Sequence, residues 1–186
     1  MKRLLDLAIC LVLALPAFLA ILLVLPVVAL ETRATPLFRQ RRVGRDGRVF
    51  TLLKLRTMRA DTPDGASHEV GAATITRSGR VLRRTKVDEL PQLWNVLTGD
   101  MSLVGPRPCL PSQAELVEAR HRLGVDRLRP GITGPAQVAG LDMSDPQRLA
   151  DADAAYLERW SLRRDLTLLI QTGIGRGSGD AAAIRR

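Results

Sequence analysis

The longest apolar stretch of the chain covers residues 7–30, which carry no charge and are rich in Leu, Val, Ile and Ala. A stretch of this length can cross a bilayer, because a membrane helix needs about 20 apolar residues. Pro16 and Pro26 lie inside the stretch. Each proline removes a backbone donor and clashes with the preceding turn, so the pattern predicts a membrane helix with a kink or a break near Pro16.

Basic residues flank the apolar stretch on both sides. Lys2 and Arg3 precede it, and Arg33 is the first of five arginines that follow it by residue 45. Positive flanks favour the cytoplasmic side of a membrane, and a straight span would export one of the two. A helix–break–helix hairpin over residues 1–30, which enters and leaves the same leaflet, keeps both flanks in the cytoplasm. A single kinked span is the alternative.

After residue 30 the pattern changes to short amphipathic segments. Helical spacing of apolar residues is found in residues 88–98, 112–123, 145–160 and 162–173. Asp88 is predicted to cap the first of these helices and Ser112 the second, and Gly99 follows the end of the first. In the last segment one face is apolar, formed by Leu162, Leu166, Leu169 and Ile170. Such a face can lie on a membrane or pack on the domain, and packing is the commoner arrangement.

Strand signals are few. Residues 49–55 (VFTLLKL) indicate a strand or a short buried segment, and proline and glycine predict irregular chain in residues 61–73, 100–111 and 129–140. The predicted fold class is α+β and mostly helical, with little strand. It combines a re-entrant membrane hairpin over residues 1–30 with one compact cytoplasmic domain over residues 31–186 that carries amphipathic surface helices.

The positive charge of the chain indicates what kind of ligand the domain binds. The 186 residues include 28 Lys and Arg against 19 Asp and Glu, a net charge of +9, and 25 of the cations are Arg. Arginine suits bidentate binding of phosphate or carboxylate, so a surface or cleft for anions is indicated. Aromatic residues make up only 3%, which argues against nucleic acid as the partner. Two cysteines are too few for a disulfide scaffold or a zinc framework.

The pair Asp88 and Glu89 is a candidate for chemistry. It follows a basic segment that ends in Lys86, at a predicted helix start. One interpretation is structural, because acids are common in the first turn of a helix. The other is functional. A helix start and nearby arginines favour the ionised carboxylate, which can act as a nucleophile, while two carboxylates can hold Mg²⁺ together with substrate phosphates.

A second candidate is Arg107, which lies between Pro106 and Pro108. Proline on both sides restricts the backbone, so this arginine loses less entropy when it binds a phosphate. An exposed structural loop is the alternative. Glycines at positions 99 and 105, and a second group at 131, 134 and 140, allow close approach of a ligand to the backbone, but glycines alone are weak evidence.

Five motifs carry a family resemblance. They are KRLLDL, PLFRQRRVG, KLRTM, LRRTKVDELPQLWNVLTGDMSLVGPRP and RPGITGPAQV, and the match runs from residue 2 to about residue 172. Together they resemble the bacterial sugar transferase family, whose members are monotopic phosphoglycosyl transferases. The length resembles that of the small, PglC-like members. Two positions depart from the family pattern: Leu15 precedes Pro16 where Ser is common, and residues 139–141 read Ala-Gly-Leu in place of Asn-Gly-Arg.

The resemblance implies an activity at the inner (cytoplasmic) membrane of a bacterium, with the catalytic domain on the cytoplasmic face. A UDP-sugar would donate a phospho-sugar to a polyprenol phosphate, such as undecaprenyl phosphate. UMP would leave, and a polyprenol diphosphate-sugar would form as the first membrane step of a glycan pathway. The implied cofactor is Mg²⁺, and the implied partners are these two substrates and membrane lipid.

The resemblance also implies roles for single residues. Asp88 corresponds to the nucleophile that forms a phosphosugar-aspartate, and Glu89 to its partner at Mg²⁺. Phosphate or substrate contacts are implied for five basic residues, Arg107, Arg83, Lys54, Arg56 and Arg129. Two other functions stay open, a lipid- or nucleic-acid-binding module and a scaffold in a glycan-assembly complex. Neither accounts for two adjacent acids beside a Pro-Arg-Pro loop.

Overall fold

The computed structural model describes residues 1–62, 74–141 and 143–175. Most of the loop predicted for residues 61–73 lies outside them. The helices are α1 (Lys2–Thr32), α2 (Arg77–Thr85), α3 (Gln92–Thr98), α4 (Ala114–Arg122), α5 (Pro135–Val138), α6 (Pro146–Glu158) and α7 (Leu162–Gly173). The strands are β1 (Leu37–Val43), β2 (Val49–Leu55), β3 (Ser102–Val104) and β4 (Gly131–Thr133). The chain is therefore mostly helical with short strands, which confirms the predicted fold class.

Helix α1 is one continuous element that contains Pro16 and Pro26. The sequence predicts two helices with a break between them, whereas in the structure the helix continues through both prolines. Among the described residues α1 is the helix that is long and apolar enough to cross a membrane. Most of its apolar side chains are exposed, as at Leu11 and Leu23. The re-entrant path of this segment stays a prediction.

The N-terminal end of α1 is fixed to the rest of the chain by polar contacts. Asp6 is 4% exposed and accepts hydrogen bonds from the Ser102 hydroxyl, at 2.8 Å, and from the backbone N–H of Leu103. Lys2 forms an ion pair of 2.6 Å with Asp165, which also accepts hydrogen bonds from Tyr156 and Trp160. These contacts join the start of α1 to β3 and to the first turn of α7.

The C-terminal end of α1 is also fixed. Glu31 accepts hydrogen bonds from the backbone N–H and the hydroxyl of Ser78 on α2, at 2.9 and 2.7 Å. Val28 is fully buried in a cluster with Leu55 and Leu82. Both ends of the apolar helix therefore contact the domain formed by the later residues.

Strands β1 and β2 form an antiparallel hairpin in which Leu37 pairs with Leu55 and Val43 with Val49. The second strand agrees with the one predicted for residues 49–55. The Asn95 side chain on α3 accepts from the Leu53 N–H and donates to the Thr51 carbonyl, at 3.0 and 2.8 Å. The Asn95 amide thus satisfies one backbone N–H and one backbone carbonyl of β2, as a neighbouring strand would do. This contact joins α3 to the hairpin.

Strands β3 and β4 pair in parallel, with Ser102 opposite Gly131 and Val104 opposite Thr133. The expectation of irregular structure throughout residues 100–111 and 129–140 is therefore wrong at these strands and at α5. A Cβ at Gly131 would lie 2.1 Å from the Gly105 nitrogen, and one at Gly134 would lie 2.1 Å from the Gly105 carbonyl oxygen. These glycines bring two backbone segments together, which is a different role from the phosphate cradle considered above.

The predicted helices are present, with two corrections at their starts. Asp88 lies in a 3-10 turn, Val87–Glu89, and Pro91 is the N-cap of α3, so Asp88 is not the cap. Gln113, and not Ser112, is the N-cap of α4. Gly99 ends α3 in the left-handed conformation, with φ 97°, as predicted. The proline at position 91 explains the first correction, because it starts a new helical segment after the turn.

The apolar face predicted for α7 is only partly covered, since Leu162 and Leu169 are half-buried and the other two residues are exposed. Ile170 is 65% exposed and Leu166 44%, whereas Asp165 and Leu168 are buried. On α3 the apolar residues also differ, since Leu93 is buried in the core and Trp94 is 61% exposed. Packing against the domain, the commoner arrangement, therefore covers part of each apolar face and leaves Trp94, Leu166 and Ile170 exposed.

Candidate active site

A small cavity lies between the β1–β2 hairpin, the 3-10 turn before α3 and the segment after β3. Its lining residues are Arg42, Leu52, Lys54, Glu89, Gln92, Arg107, Pro108, Gly131 and Ile132. Three of these carry guanidinium or ammonium groups and one carries a carboxylate. Such an excess of cations in a recess suits an anionic ligand with several charges.

The turn Val87–Glu89 brings the Glu89 carboxylate to the cavity, whereas the neighbouring Asp88 is buried and is not among the lining residues of the described chain. The Asp88 residue is 2% exposed, and the Glu89 side chain, 16% exposed, reaches the lining. Lys86 precedes the turn in the left-handed conformation, with φ 58°. Burial lowers the pKa of the Lys86 ammonium, and the charge of Glu89 opposes this shift. The sequence therefore brings two acids and a lysine together within four positions.

Residues 105–108 carry Arg107 and are called the Arg107 loop below. The Arg107 guanidinium lies 3.9 Å from a Glu89 carboxylate oxygen. Two buried arginines bond to the backbone of this loop: Arg42 Nη1 donates to the Pro108 carbonyl at 3.0 Å, and Arg120 Nη1 donates to the Arg107 carbonyl at 2.8 Å. The loop is thus held from both sides, in addition to the stiffness of its prolines.

Each of the two buried arginines has its own acceptor. Arg42 Nε donates to the Gln40 amide oxygen at 3.0 Å. Arg120 donates from Nε and Nη2 to one oxygen of Asp153, at 3.0 and 2.7 Å. Burial raises the pKa of Asp153, and Arg120 opposes that rise. The fork of a guanidinium allows it to bond to an acceptor and to the loop at the same time.

Of the predicted basic residues, Lys54 lines the cavity together with Arg107, and Arg83 is buried but is not among the described lining residues. Lys54 is 8% exposed, lines the cavity and lies 5.8 Å from the centroid of the Phe38 ring. Arg83 is 5% exposed, on the last turn of α2, and its Nε donates to the Thr57 hydroxyl at 2.9 Å. Among the described residues, Arg83 Nη1 is a buried donor with no hydrogen-bond partner. A buried donor without a partner is costly, so an anion that binds there gains free energy.

The other two basic residues make structural contacts. Arg56 donates to the Thr35 carbonyl at 3.0 Å and lies against Phe38, and Arg129 donates to the Gly99 carbonyl at 2.9 Å. The cavity lining does not contain either of them within the described residues. Their predicted contacts with substrate stay predictions.

Sequence reasoning missed Arg42, Gln92, Lys86 and Arg120 as parts of the site. The alternation in β1 was a usable signal for Arg42, because Gln40 and Arg42 share the buried face of the strand. No local signal separates the buried Arg120 from its exposed neighbour Arg122 on α4.

Comparisons with known proteins identify the family to which the chain belongs. The family model for bacterial sugar transferases matches residues 1–175. A Caulobacter vibrioides protein named UDP-glucose:undecaprenyl-phosphate glucose-1-phosphate transferase is 47% identical over 183 residues, which cover 92% of this chain and 67% of that protein. A Xanthomonas campestris protein of the same name is 39% identical, over 74% of this chain and 30% of its own length.

A third relative, the Bacillus subtilis protein named uncharacterized sugar transferase EpsL, is 38% identical over 92% of this chain and 85% of its own length. The chain belongs to the bacterial sugar transferase family. It is therefore a phosphoglycosyl transferase, as the motifs indicated.

The contact between Arg120 and the Arg107 loop leads to a testable prediction. Arg120→Lys keeps a positive charge for Asp153, but one ammonium cannot replace three guanidinium contacts. We expect transferase kcat to fall about tenfold, which corresponds to about 1.5 kcal/mol for a charged hydrogen bond. The control is Arg122→Lys, an exposed arginine on the same helix. A kcat of Arg120→Lys within twofold of the parent, measured at saturating substrates, would show that the loop does not need this contact.

Proposed function

We propose that the protein transfers a phospho-sugar from a UDP-sugar to a polyprenol phosphate, such as undecaprenyl phosphate, and releases UMP. The product is a polyprenol diphosphate-sugar, the first membrane intermediate of a bacterial glycan. The observation that carries the proposal is the cavity in which Glu89, beside Asp88, faces Arg107, Arg42 and Lys54. A diphosphate donor needs several cations, and a carboxylate beside them can act as the nucleophile.

In the first step the Asp88 carboxylate attacks the β-phosphorus of the UDP-sugar. A bond forms between a carboxylate oxygen and phosphorus, and the bond from phosphorus to the bridging oxygen breaks. UMP leaves with that oxygen and its electron pair. Arg107 and Lys54 stabilise the charge on the phosphoryl oxygens, since both line the cavity and are held there before substrate binds.

In the second step a phosphate oxygen of the polyprenol phosphate attacks the phosphorus of the aspartyl phosphosugar. The acyl phosphate bond breaks, the Asp88 carboxylate is restored, and the diphosphate product forms. Both substrates carry phosphate, and two such anions repel each other in one small cavity. A ping-pong order, in which UMP leaves before the second anion enters, avoids this repulsion.

Mg²⁺ fits the donor set at this site. Among the described residues no three His, Cys, Asp or Glu side chains cluster as a metal site, but Mg²⁺ uses only one or two carboxylates together with substrate phosphates. Glu89, whose carboxylate lines the cavity, and Asp88 beside it are the residues that would hold the ion. When bound, the ion supplies positive charge that stabilises the departing UMP.

The attachment of α1 supports a re-entrant path on the cytoplasmic face of the inner membrane. A straight helix of 31 residues is about 46 Å long and would carry its two ends to opposite sides of a bilayer. Both ends instead contact one polar domain, through Asp6 and Ser102 at one end and Glu31 and Ser78 at the other. Exposed Trp94 and Ile170 add apolar surface to the domain, which suits contact with lipid.

The first prediction of this proposal concerns UMP release. Purified protein with Mg²⁺, undecaprenyl phosphate and a panel of UDP-sugars should release UMP with at least one donor, and chelation of divalent cations should abolish the release. Asp88→Asn removes the nucleophile at nearly constant size, so it should lose turnover and keep the parent unfolding temperature. Turnover by Asp88→Asn at the parent rate would contradict the mechanism, and no UMP from any donor would contradict the function.

A second prediction concerns Arg107. Arg107→Lys loses the bidentate geometry, and we expect kcat/KM for the UDP-sugar to fall by a factor that corresponds to about 1.5–3 kcal/mol. Arg45→Lys, at an exposed arginine of the β1–β2 hairpin turn, is the control. An Arg107→Lys variant within twofold of the parent would show that the loop is structural only.

A third prediction concerns topology. Single cysteines at Leu4, which is 71% exposed, and at the exposed Thr35 should both react with an impermeant maleimide in inside-out vesicles, and neither should react in intact spheroplasts. The native Cys10 and Cys109 are buried and give a low background. Labelling of the two sites from opposite sides would establish a single span.

A further inference from the structure

Gln92 is a buried amide that lines the cavity and has no hydrogen-bond partner in the fold. It is the first residue of α3, and it is 5% exposed. Within the described part of the chain, no hydrogen bond joins its side chain to another residue. The large majority of buried side-chain polar groups have a partner, so a group without one needs an explanation.

Two other buried amides of the described chain have their partners in the fold. Asn95 is 2% exposed and bonds to the backbone of β2 through both its oxygen and its nitrogen. Gln40 is 5% exposed and accepts a hydrogen bond from Arg42. Residues three apart lie on the same side of a helix, so α3 turns the Asn95 amide to the hairpin and the Gln92 amide to the cavity. The fold therefore accounts for Asn95 and Gln40, but not for Gln92.

The chemistry of an amide differs from that of the cations around it. Arg42, Lys54 and Arg107 line the same cavity and supply positive charge for phosphate. The Gln92 amide has no charge, but it offers both a donor and an acceptor. A hydroxyl group has the same two capacities. A neutral amide among these cations therefore suits a hydroxyl group that lies next to a phosphate.

We propose that Gln92 is a specificity-determining residue, whose side-chain amide binds a hydroxyl group of the UDP-sugar. The proposal rests on the proposed function, since it assigns a contact with the donor in that same cavity. Two parts of the donor carry hydroxyl groups beside the diphosphate, the transferred sugar and the ribose. UMP contains only the second of these, so the two sources can be separated by experiment.

Gln92→Met is the decisive variant, because it keeps the length of the side chain and removes both the donor and the acceptor. The amide makes no hydrogen bond within the described chain, so this variant should keep the parent unfolding temperature. Gln137→Met is the matched control. Gln137 is also a buried amide, 6% exposed, and both of its polar atoms lack a partner among the described residues, but it is not one of the described residues that line the cavity.

Binding is measured by titration with Mg²⁺ in the Asp88→Asn background, in which the donor is not consumed. We expect Gln92→Met to weaken UDP-sugar binding about fivefold, the size of one hydrogen bond. Gln137→Met should bind the donor as the parent does. If the hydroxyl belongs to the ribose, UMP binding falls by the same factor. If it belongs to the transferred sugar, UMP binding does not change.

Analogues of the donor that each lack one hydroxyl identify the group that is bound. The analogue without that hydroxyl should bind the parent about fivefold more weakly than the full donor. It should bind Gln92→Met no more weakly than the full donor does, because the contact is already absent from this variant. A loss of affinity in Gln92→Met that adds to the loss from every analogue would overturn the proposal.

Three further results would overturn it. One is UDP-sugar binding by Gln92→Met within twofold of the parent, and another is an equal loss in Gln137→Met, which would indicate an effect of packing. The third is weaker binding of inorganic pyrophosphate by Gln92→Met, since pyrophosphate lacks these hydroxyls and the amide would then contact phosphate. A parent that binds the UDP-sugar but releases no UMP would contradict the proposed function alone, whereas a parent that binds no UDP-sugar would contradict both.

Discussion

Hydrogen bonds from buried guanidinium groups to backbone carbonyls are the constraint on which the site depends. Arg42 and Arg120 hold the carbonyls of the Arg107 loop, and Gln40 and Asp153 accept their remaining bonds. An arginine cannot lose its proton, so burial is tolerated only where such acceptors are present. The loop is therefore fixed before substrate arrives, and the free energy of ordering it does not oppose phosphate binding.

The apolar helix α1 is connected to both halves of the site. At its start, Asp6 bonds to Ser102 on β3, and that strand leads directly into the Arg107 loop. At its end, Val28 packs with Leu82 on α2, and that helix leads into Lys86 and the turn that holds Asp88. The apolar helix thus positions the Arg107 loop and the proposed nucleophile together, which suits the proposed reaction with a lipid phosphate.

Much of this was predictable from local sequence, and the remainder depends on contacts distant in sequence. The apolar stretch, the later helices and the glycine that ends α3 follow from spacing and backbone preference. The parallel pair of Ser102 and Gly131 does not, because it joins residues far apart in the chain. The periodicity of apolar residues predicts the apolar faces of α3 and α7, but it does not predict that Trp94 and Ile170 on those faces are exposed, because a periodic pattern does not show what packs against it. The composition shows that the chain is rich in arginine, but it does not predict that Arg42 and Arg120 are buried.

The central claim is that Asp88 carries the phospho-sugar between the two substrates. Intact-protein and peptide mass measurement tests it most directly, after incubation with the active UDP-sugar and Mg²⁺ but no polyprenol phosphate. The account predicts release of up to about one UMP per protein and a gain of one phospho-sugar on the peptide that contains Asp88. Asp88→Asn should show neither. A protein that turns over with both substrates, yet releases no UMP and forms no adduct with the donor alone, would contradict the account.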